Sequence, residues 1–151
     1  MEDLNRIEVK RKTKEFHLSI PIPPSVNKIH YTAKGGKRRL TSDAERYIRD
    51  VRAYTRLKAE EQGWEKTDDA TWYYMDLFFY FPDKRIRDSH NCLKILIDAL
   101  ESILFHNDYF VLPRIQIVEL DKTNPRCEVI LHPQTSSERK GYLQKSQKML
   151  N

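Results

Sequence analysis

WYYMDLFFYFPDKRIRDSHNCLKILIDAL, residues 72–100, decides the fold. It divides into three pieces of different chemistry. Residues 72–81 are aromatic and apolar almost throughout, the composition of a strand buried on both faces or nearly so, and Pro82 ends the run. Residues 83–91 (DKRIRDSHN) are polar and mostly basic. From about Asp88–Ser89 to Leu104, the apolar residues Leu93, Leu96, Ile97, Leu100 and Leu104 fall in a narrow stripe at helical spacing. Asn91, Lys94 and Asp98 share the opposite face of that helix (i, i+3, i+7). Strand, charged turn and amphipathic helix thus follow one another directly.

Towards the N-terminus, residues 16–22 alternate (Phe16, Leu18, Ile20, Ile22), which predicts a half-buried strand. Pro21, Pro23 and Pro24 stop its ladder, and Ser25–Val26–Asn27 turns the chain. Residues 26–40 carry Lys28, Lys34, Lys37, Arg38 and Arg39 and no acid, around Gly35–Gly36. That is a mobile basic loop with the shape of a phosphate-tracking hairpin or arm. Ser42 with Glu45 three residues on makes a capping-box pattern, so a helix is expected over 43–62, with Gly63 as its C-cap. Beyond the opening stretch, 105–109 is a short polar turn, 111–120 a strand, 123–125 a turn and 126–131 a further strand. Residues 1–15 form a charged lead-in and 133–151 a polar basic tail, flexible or a surface helix. The order β–α–β–α–β–β predicts an α+β fold, a small mixed β-sheet with two helices packed on it, over residues 16–132.

Bulk properties narrow the class. A chain of 151 residues is one domain by size and buries a sufficient core without a disulfide or structural metal. Cys92 and Cys127 lack CxxC-type neighbours and read as reduced, packed thiols in a cytoplasmic protein. No apolar run approaches the ~18 residues of a membrane span, and the start MEDLNRIEVKRK has no apolar core of a secretory signal. A net charge of +5 suits a polyanion such as nucleic acid, although many unrelated proteins share it. There is no nucleophile elbow, Walker loop, HExxH or GxGxxG.

The polar turn is where chemistry concentrates. Asp88 and His90 place a carboxylate and an imidazole two residues apart, Lys94 follows, and Lys84, Arg85 and Arg87 flank them. Phosphodiester hydrolysis uses a divalent cation held by carboxylate oxygens from more than one segment. A lysine neutralises developing charge, and arginines fork onto phosphate oxygens. Asp108, ahead of the strand at Val111, reaches the Asp88 turn if that strand pairs beside the one ending at Phe81. Each residue also has a bland reading. Asp88 is an ordinary helix N-cap, Lys94 and Asp98 a solvated i,i+4 pair, and Asp108 a turn residue. Tyr73, Tyr74, Phe78, Phe79 and Tyr80 read as core rather than as a base-stacking platform.

Several stretches resemble the RusA-type Holliday junction resolvases of bacteria, prophages and phages. SIPIPPSVNKIHY (19–31) is similar to the family's opening, and FPDKRIRDSHNCLKILIDAL (81–100) to its pattern of basic residues, spaced aspartates and lysine. FHNDYFV (105–111) is similar to its paired acids. The resemblance implies a homodimer that binds four-way DNA junctions and cuts two strands symmetrically with Mg²⁺ or Mn²⁺. It implies that Asp88 and Asp108 bind metal, that Lys94 is the catalytic lysine, and that Arg87 is the basic residue before the first aspartate. Lys37, Arg38, Arg39, Lys84, Arg85 and Arg87 are then expected to bind DNA, with Asn27, Asn91 and Asp98 supporting. The sequence departs from the pattern twice: His90 stands where a third metal-binding aspartate is expected, and Asn107 replaces the first acid of the pair. Imidazole suits Mn²⁺ better than Mg²⁺, so Mn²⁺ is the expected preference if His90 is a ligand. The alternatives are a junction- or branched-DNA-binding protein with weak or no cleavage, and an adaptor whose basic loop meets an acidic partner.

Overall fold

The computed structural model describes residues 15–67 and 70–151. The expected lead-in therefore lies, except for Glu15, outside the described residues. The elements run β1 (Phe16–Ile20), β2 (His30–Thr32), β3 (Arg38–Leu40), α1 (Ser42–Glu61), β4 (Tyr73–Phe81), α2 (Leu93–Leu100), β5 (Val111–Leu120), β6 (Arg126–Pro133) and α3 (Ser136–Leu150). Four strands form one sheet in the order β1-β6-β4-β5, and β2 and β3 form a separate hairpin. β4 and β5 are parallel, while β6 is antiparallel to both β4 and β1. The fold is the expected α+β arrangement on a mixed sheet, with α3 as a third helix. Among the described residues no helix is long and apolar enough to cross a membrane.

One face of the sheet is the core face. Tyr73, Met75, Leu77, Phe79 and Phe81 alternate along β4 and are buried with Phe16 and Leu18 of β1 and Val129 and Leu131 of β6. Val51 of α1 and Leu96, Ala99 and Leu100 of α2 close this core from above. The expectation that β4 is buried on both faces or nearly so holds in its weaker form: on its other face Tyr74 is buried, and Asp76, Phe78 and Tyr80 are half-buried. The reason is that both α1 and α2 lie on one side. On the opposite face Asp76 accepts a forked pair from Arg114 Nε (2.6 Å) and Nη2 (2.9 Å), which ties β5 to β4.

Two helix boundaries differ from expectation. Thr41, not Ser42, caps α1; its hydroxyl accepts from the Ala44 N–H while its own N–H donates to Ile29 O, so the hairpin fixes which residue is the cap. Gly63, just past the Gln62 C-cap, takes the left-handed conformation (φ 58°) that ends such helices. The second helix is shorter than 88–104. It begins as a 3₁₀ turn, Ser89–Cys92, continues as α2, and ends at Glu101, after which Ser102 adopts φ 69°. Leu104 is buried nevertheless, because the turn carries it into the same core. Ile95, outside the expected stripe, packs with Ile29 and Ala44 in a second cluster under the hairpin.

Arg52 of α1 secures the end of α2. Its Nη1 donates to the carbonyls of Asp98 (3.4 Å), Ala99 (3.2 Å) and Glu101 (2.9 Å), and Nη2 donates to Ser102 Oγ (2.8 Å). Carbonyls at a helix C-terminus have no intrahelical donors, so one guanidinium satisfies several at once. Replacing it by Arg52→Met keeps the apolar stem and removes those bonds, at an expected cost of about 2 kcal/mol. A thermal melt is expected to show Tm lower by about 4–8 °C.

Candidate active site

β4 leaves the sheet into the polar turn, and its first acid works locally. Asp83 accepts from Arg87 Nη2 (3.0 Å) and from the Arg85 N–H (3.0 Å), and these donors hold its carboxyl down at about 2. Arg87 is further placed by its guanidinium lying 5.0 Å over the Phe81 ring. Arg87 is thus a fixed cation, whereas Lys84 and Arg85 project into solvent.

Asp88 occupies the N-cap position of the 3₁₀ turn but makes no side-chain capping bond. Its carboxylate instead pairs with His90 Nε2 at 2.5 Å. The bland reading of Asp88 therefore accounts for its backbone position and leaves its side chain turned to another task. The backbone then winds into α2, where Lys94, Asp98 and Glu101 follow at i, i+4 and i+7, on one face of the helical path.

Lys94 joins that face to the lead into β5. Its Nζ lies 2.8 Å from Asp98 Oδ1 and 3.8 Å from Asp108 Oδ2. The Asp98 hydrogen bond, with further pull from Asp108 and Glu101, raises the Lys94 pKa above its usual value. Lys94 is consequently a permanent cation at neutral pH, suited to stabilising phosphate charge and not to taking a proton. Asn107 caps the short turn Asp108–Phe110 by accepting from the Tyr109 N–H (2.8 Å). An amide at 107 thus does structural work, and the Asp108 carboxylate remains available.

The donor atoms of Asp98, Glu101 and Asp108 all lie within 4.8 Å of one another. Three oxygen ligands of this kind suit a hard divalent cation. Glu101 was not singled out from sequence; the signal that finds it is its spacing from Lys94 and Asp98, legible only once Asp108 is known to be opposite. Asp88 and His90 lie outside this three-acid group and form a pair of their own. β5 does pair beside β4, but in parallel, with Val111 opposite Tyr73 at the start of β4, so the approach of Asp108 to the site comes through the returning α2.

The remaining candidates sort into two places. Asn27, Arg87, Asp88 and Asn91 line one cleft between the Pro-rich turn after β1 and the Asp88 turn. Lys37, Arg38 and Arg39 are exposed on the β2–β3 hairpin, whose tip glycines Gly35 and Gly36 take positive φ (92° and 78°). Among the described residues none of the three is in an ion pair, so their charge is free for an outside anion. Asn27 lines both the Asp88 cleft and a groove containing Arg38, which makes the two surfaces continuous.

Residues 21–132 match the family described as Endodeoxyribonuclease RusA. The chain belongs to this family. The match begins at the Pro-rich turn, ends near the end of β6, and encloses every candidate residue above. Membership in the RusA family implies an endonuclease that resolves Holliday junctions, with branched DNA as its partner. No curated protein matches the chain. α3 lies beyond the matched RusA segment and buries no residue of its own.

Proposed function

We propose that this protein is a divalent-metal-dependent endodeoxyribonuclease that resolves four-way junctions by paired symmetric nicks, acting as a homodimer in recombination and repair. Its strongest support is Lys94, a cation standing between Asp98 and Asp108 on a RusA-family chain. Two symmetric nicks across a two-fold substrate are most simply made by a C2 pair.

The donor chemistry fits Mg²⁺ or Mn²⁺. Two donor groups are available: Asp98, Glu101 and Asp108, whose ligand atoms cluster, and the separate Asp88–His90 pair. A divalent cation bound there supplies Lewis-acid stabilisation of the phosphoryl oxygens and a lowered pKa for the attacking water. The chain's own residues do the remainder. Lys94 offsets charge that builds on the phosphate as the bond to the leaving oxygen lengthens. Arg87, fixed by Asp83 and Phe81, holds the neighbouring phosphate in register, and Lys84 and Arg85 extend that contact outward. The hairpin cations track the backbone of an adjoining arm.

The hairpin contribution is measurable separately from cleavage. Each neutralised phosphate releases counterions and contributes about 0.9 to the slope of log K against log salt. The triple variant Lys37→Ala, Arg38→Ala, Arg39→Ala is expected to flatten that slope by about 2–3. A mobility-shift series across salt concentrations reads it directly, and an unchanged slope removes the hairpin from the DNA interface. Because the three side chains are exposed, the fold is expected to stay intact.

A further inference from the structure

Contact with phosphates calls for cations, yet the cleft shared by Asn27 and Asp88 is walled largely by aliphatic groups. Ile22, Pro23 and Pro24 form one side and Ile86 stands at the rim. Ile86 is 104% exposed, flanked by Arg85 and Arg87 and two residues before Asp88, so none of the described residues covers it. At about 430 Å³ the cleft falls within the size of small-ligand pockets.

The polar groups of the cleft are of a particular kind. Asn27 and Asn91 each offer a donor and an acceptor, and among the described residues neither side-chain amide is hydrogen-bonded within the protein. Amides of this type read the edges of nucleobases. Lys28 and Arg87 provide positive charge beside them, and Asp88 lines the same space. Apolar walls, amides without a protein partner and flanking cations together match one nucleotide: a flat base within, its phosphates outside. In continuous duplex the bases are stacked and cannot enter; at the crossover of a four-way junction stacking is interrupted, which lowers the cost of withdrawing one.

We propose that this cleft seats an unstacked nucleobase of the cleaved strand, next to the scissile phosphate, with Asn27 and Asn91 reading its edge and Ile86 covering its face. The proposal rests on the junction-endonuclease reading and assigns to that site a base-binding subsite. It makes branch selectivity and base preference consequences of the same cavity.

The test uses four-way junctions carrying 2-aminopurine at successive positions around the crossover, with the wild-type protein in EDTA so that the DNA stays whole. Fluorescence and mobility shift are read on the same samples. The expected result is a rise of roughly threefold or more at one position, because a base leaving the stack loses its quenching neighbours. The cleft's one aromatic wall, Phe81, has its ring covered by Arg87 and adds little quenching. In Ile86→Ala and in Asn27→Ala with Asn91→Ala, measured at saturating protein, the rise is expected to fall by half or more. A shifted band with no rise at any position overturns the subsite and leaves junction binding standing. A rise undiminished in both variants overturns it equally, since the base is then held elsewhere. No shifted band overturns the junction reading and the subsite with it.

Discussion

Asp108→Asn is expected to lower the rate of four-way-junction cleavage by about 10³-fold, the scale on which losing one preorganised charge-stabilising group acts. Asp108 is singled out because it belongs to the three-acid group with Asp98 and Glu101, and because Lys94 approaches it at 3.8 Å. An amide keeps the shape but brings no negative charge, so the site loses cation affinity and the ammonium of Lys94 loses one of its counter-charges. The fold should be unaffected: Asp108 is partly exposed, and the turn that carries it is capped by Asn107. Junction affinity in a mobility shift should hold or tighten, because a carboxylate facing phosphates has been removed. Cleavage within about threefold of wild type would take Asp108 out of the site, given the charge-stabilising scale involved. Asp88→Asn and Asp98→Asn then separate the two donor sets, since only the set in use shifts the midpoint of the metal titration when it is neutralised.

Leu96→Ala carries the largest expected effect on stability. Leu96 is fully buried at 0% exposure, between the sheet and α1, and lies on the opposite side of α2 from Lys94 and Asp98. Truncating it removes apolar contact and leaves a cavity, at about 3 kcal/mol. A chemical-denaturation curve is expected to show that loss, and a melt a Tm lower by about 6–12 °C. The functional consequence follows from position. α2 is short, so its height over the sheet is set by a few buried side chains, and Lys94 reaches Asp108 only at that height. Loss of stability below about 1 kcal/mol would mean that the core under α2 collapses to fill the gap.

Much of the fold is legible along the chain because the four strands of the main sheet announce themselves, whereas β2 and β3 lie in the stretch that reads as a mobile basic loop and is in fact an ordered hairpin. β1 alternates in and out with no interruption, and the charged turn after Phe81 marks where the sheet gives way to helix. What misleads is coincidence of pattern. Leu104 continues the apolar stripe of α2 although the helix has already ended, because a residue in the following turn points to the same core. Thr41 and Ser42 are equivalent caps by chemistry; the choice is made by the backbone bond from Thr41 to Ile29, a contact of the hairpin. The site divides in the same manner. Asp88, Lys94 and Asp98 lie in one stretch and can be read as a group, whereas the contact of Lys94 with Asp108 follows from how the chain returns after α2 and not from spacing. Arg52 and Glu101 are not legible there: one acts across the helix pair from α1, and the other joins the acids only because Asp108 arrives from beyond the helix. The partnership of Asp88 with His90 is local and short, whereas Asp108, expected beside Asp88, clusters with Asp98 and Glu101 instead.

The most direct measurement is cleavage of a four-way junction labelled in turn on each strand, with Mg²⁺ and with Mn²⁺ at saturation, and with products mapped to the nucleotide. Two nicks at symmetric positions, dependent on the added cation and faster with Mn²⁺ because His90 offers an imidazole, are the expected result. Equal or faster cutting with Mg²⁺ would remove His90 from the ligand set and leave the nuclease intact. A junction that shifts in a gel yet stays uncut with either cation would contradict the account at its centre.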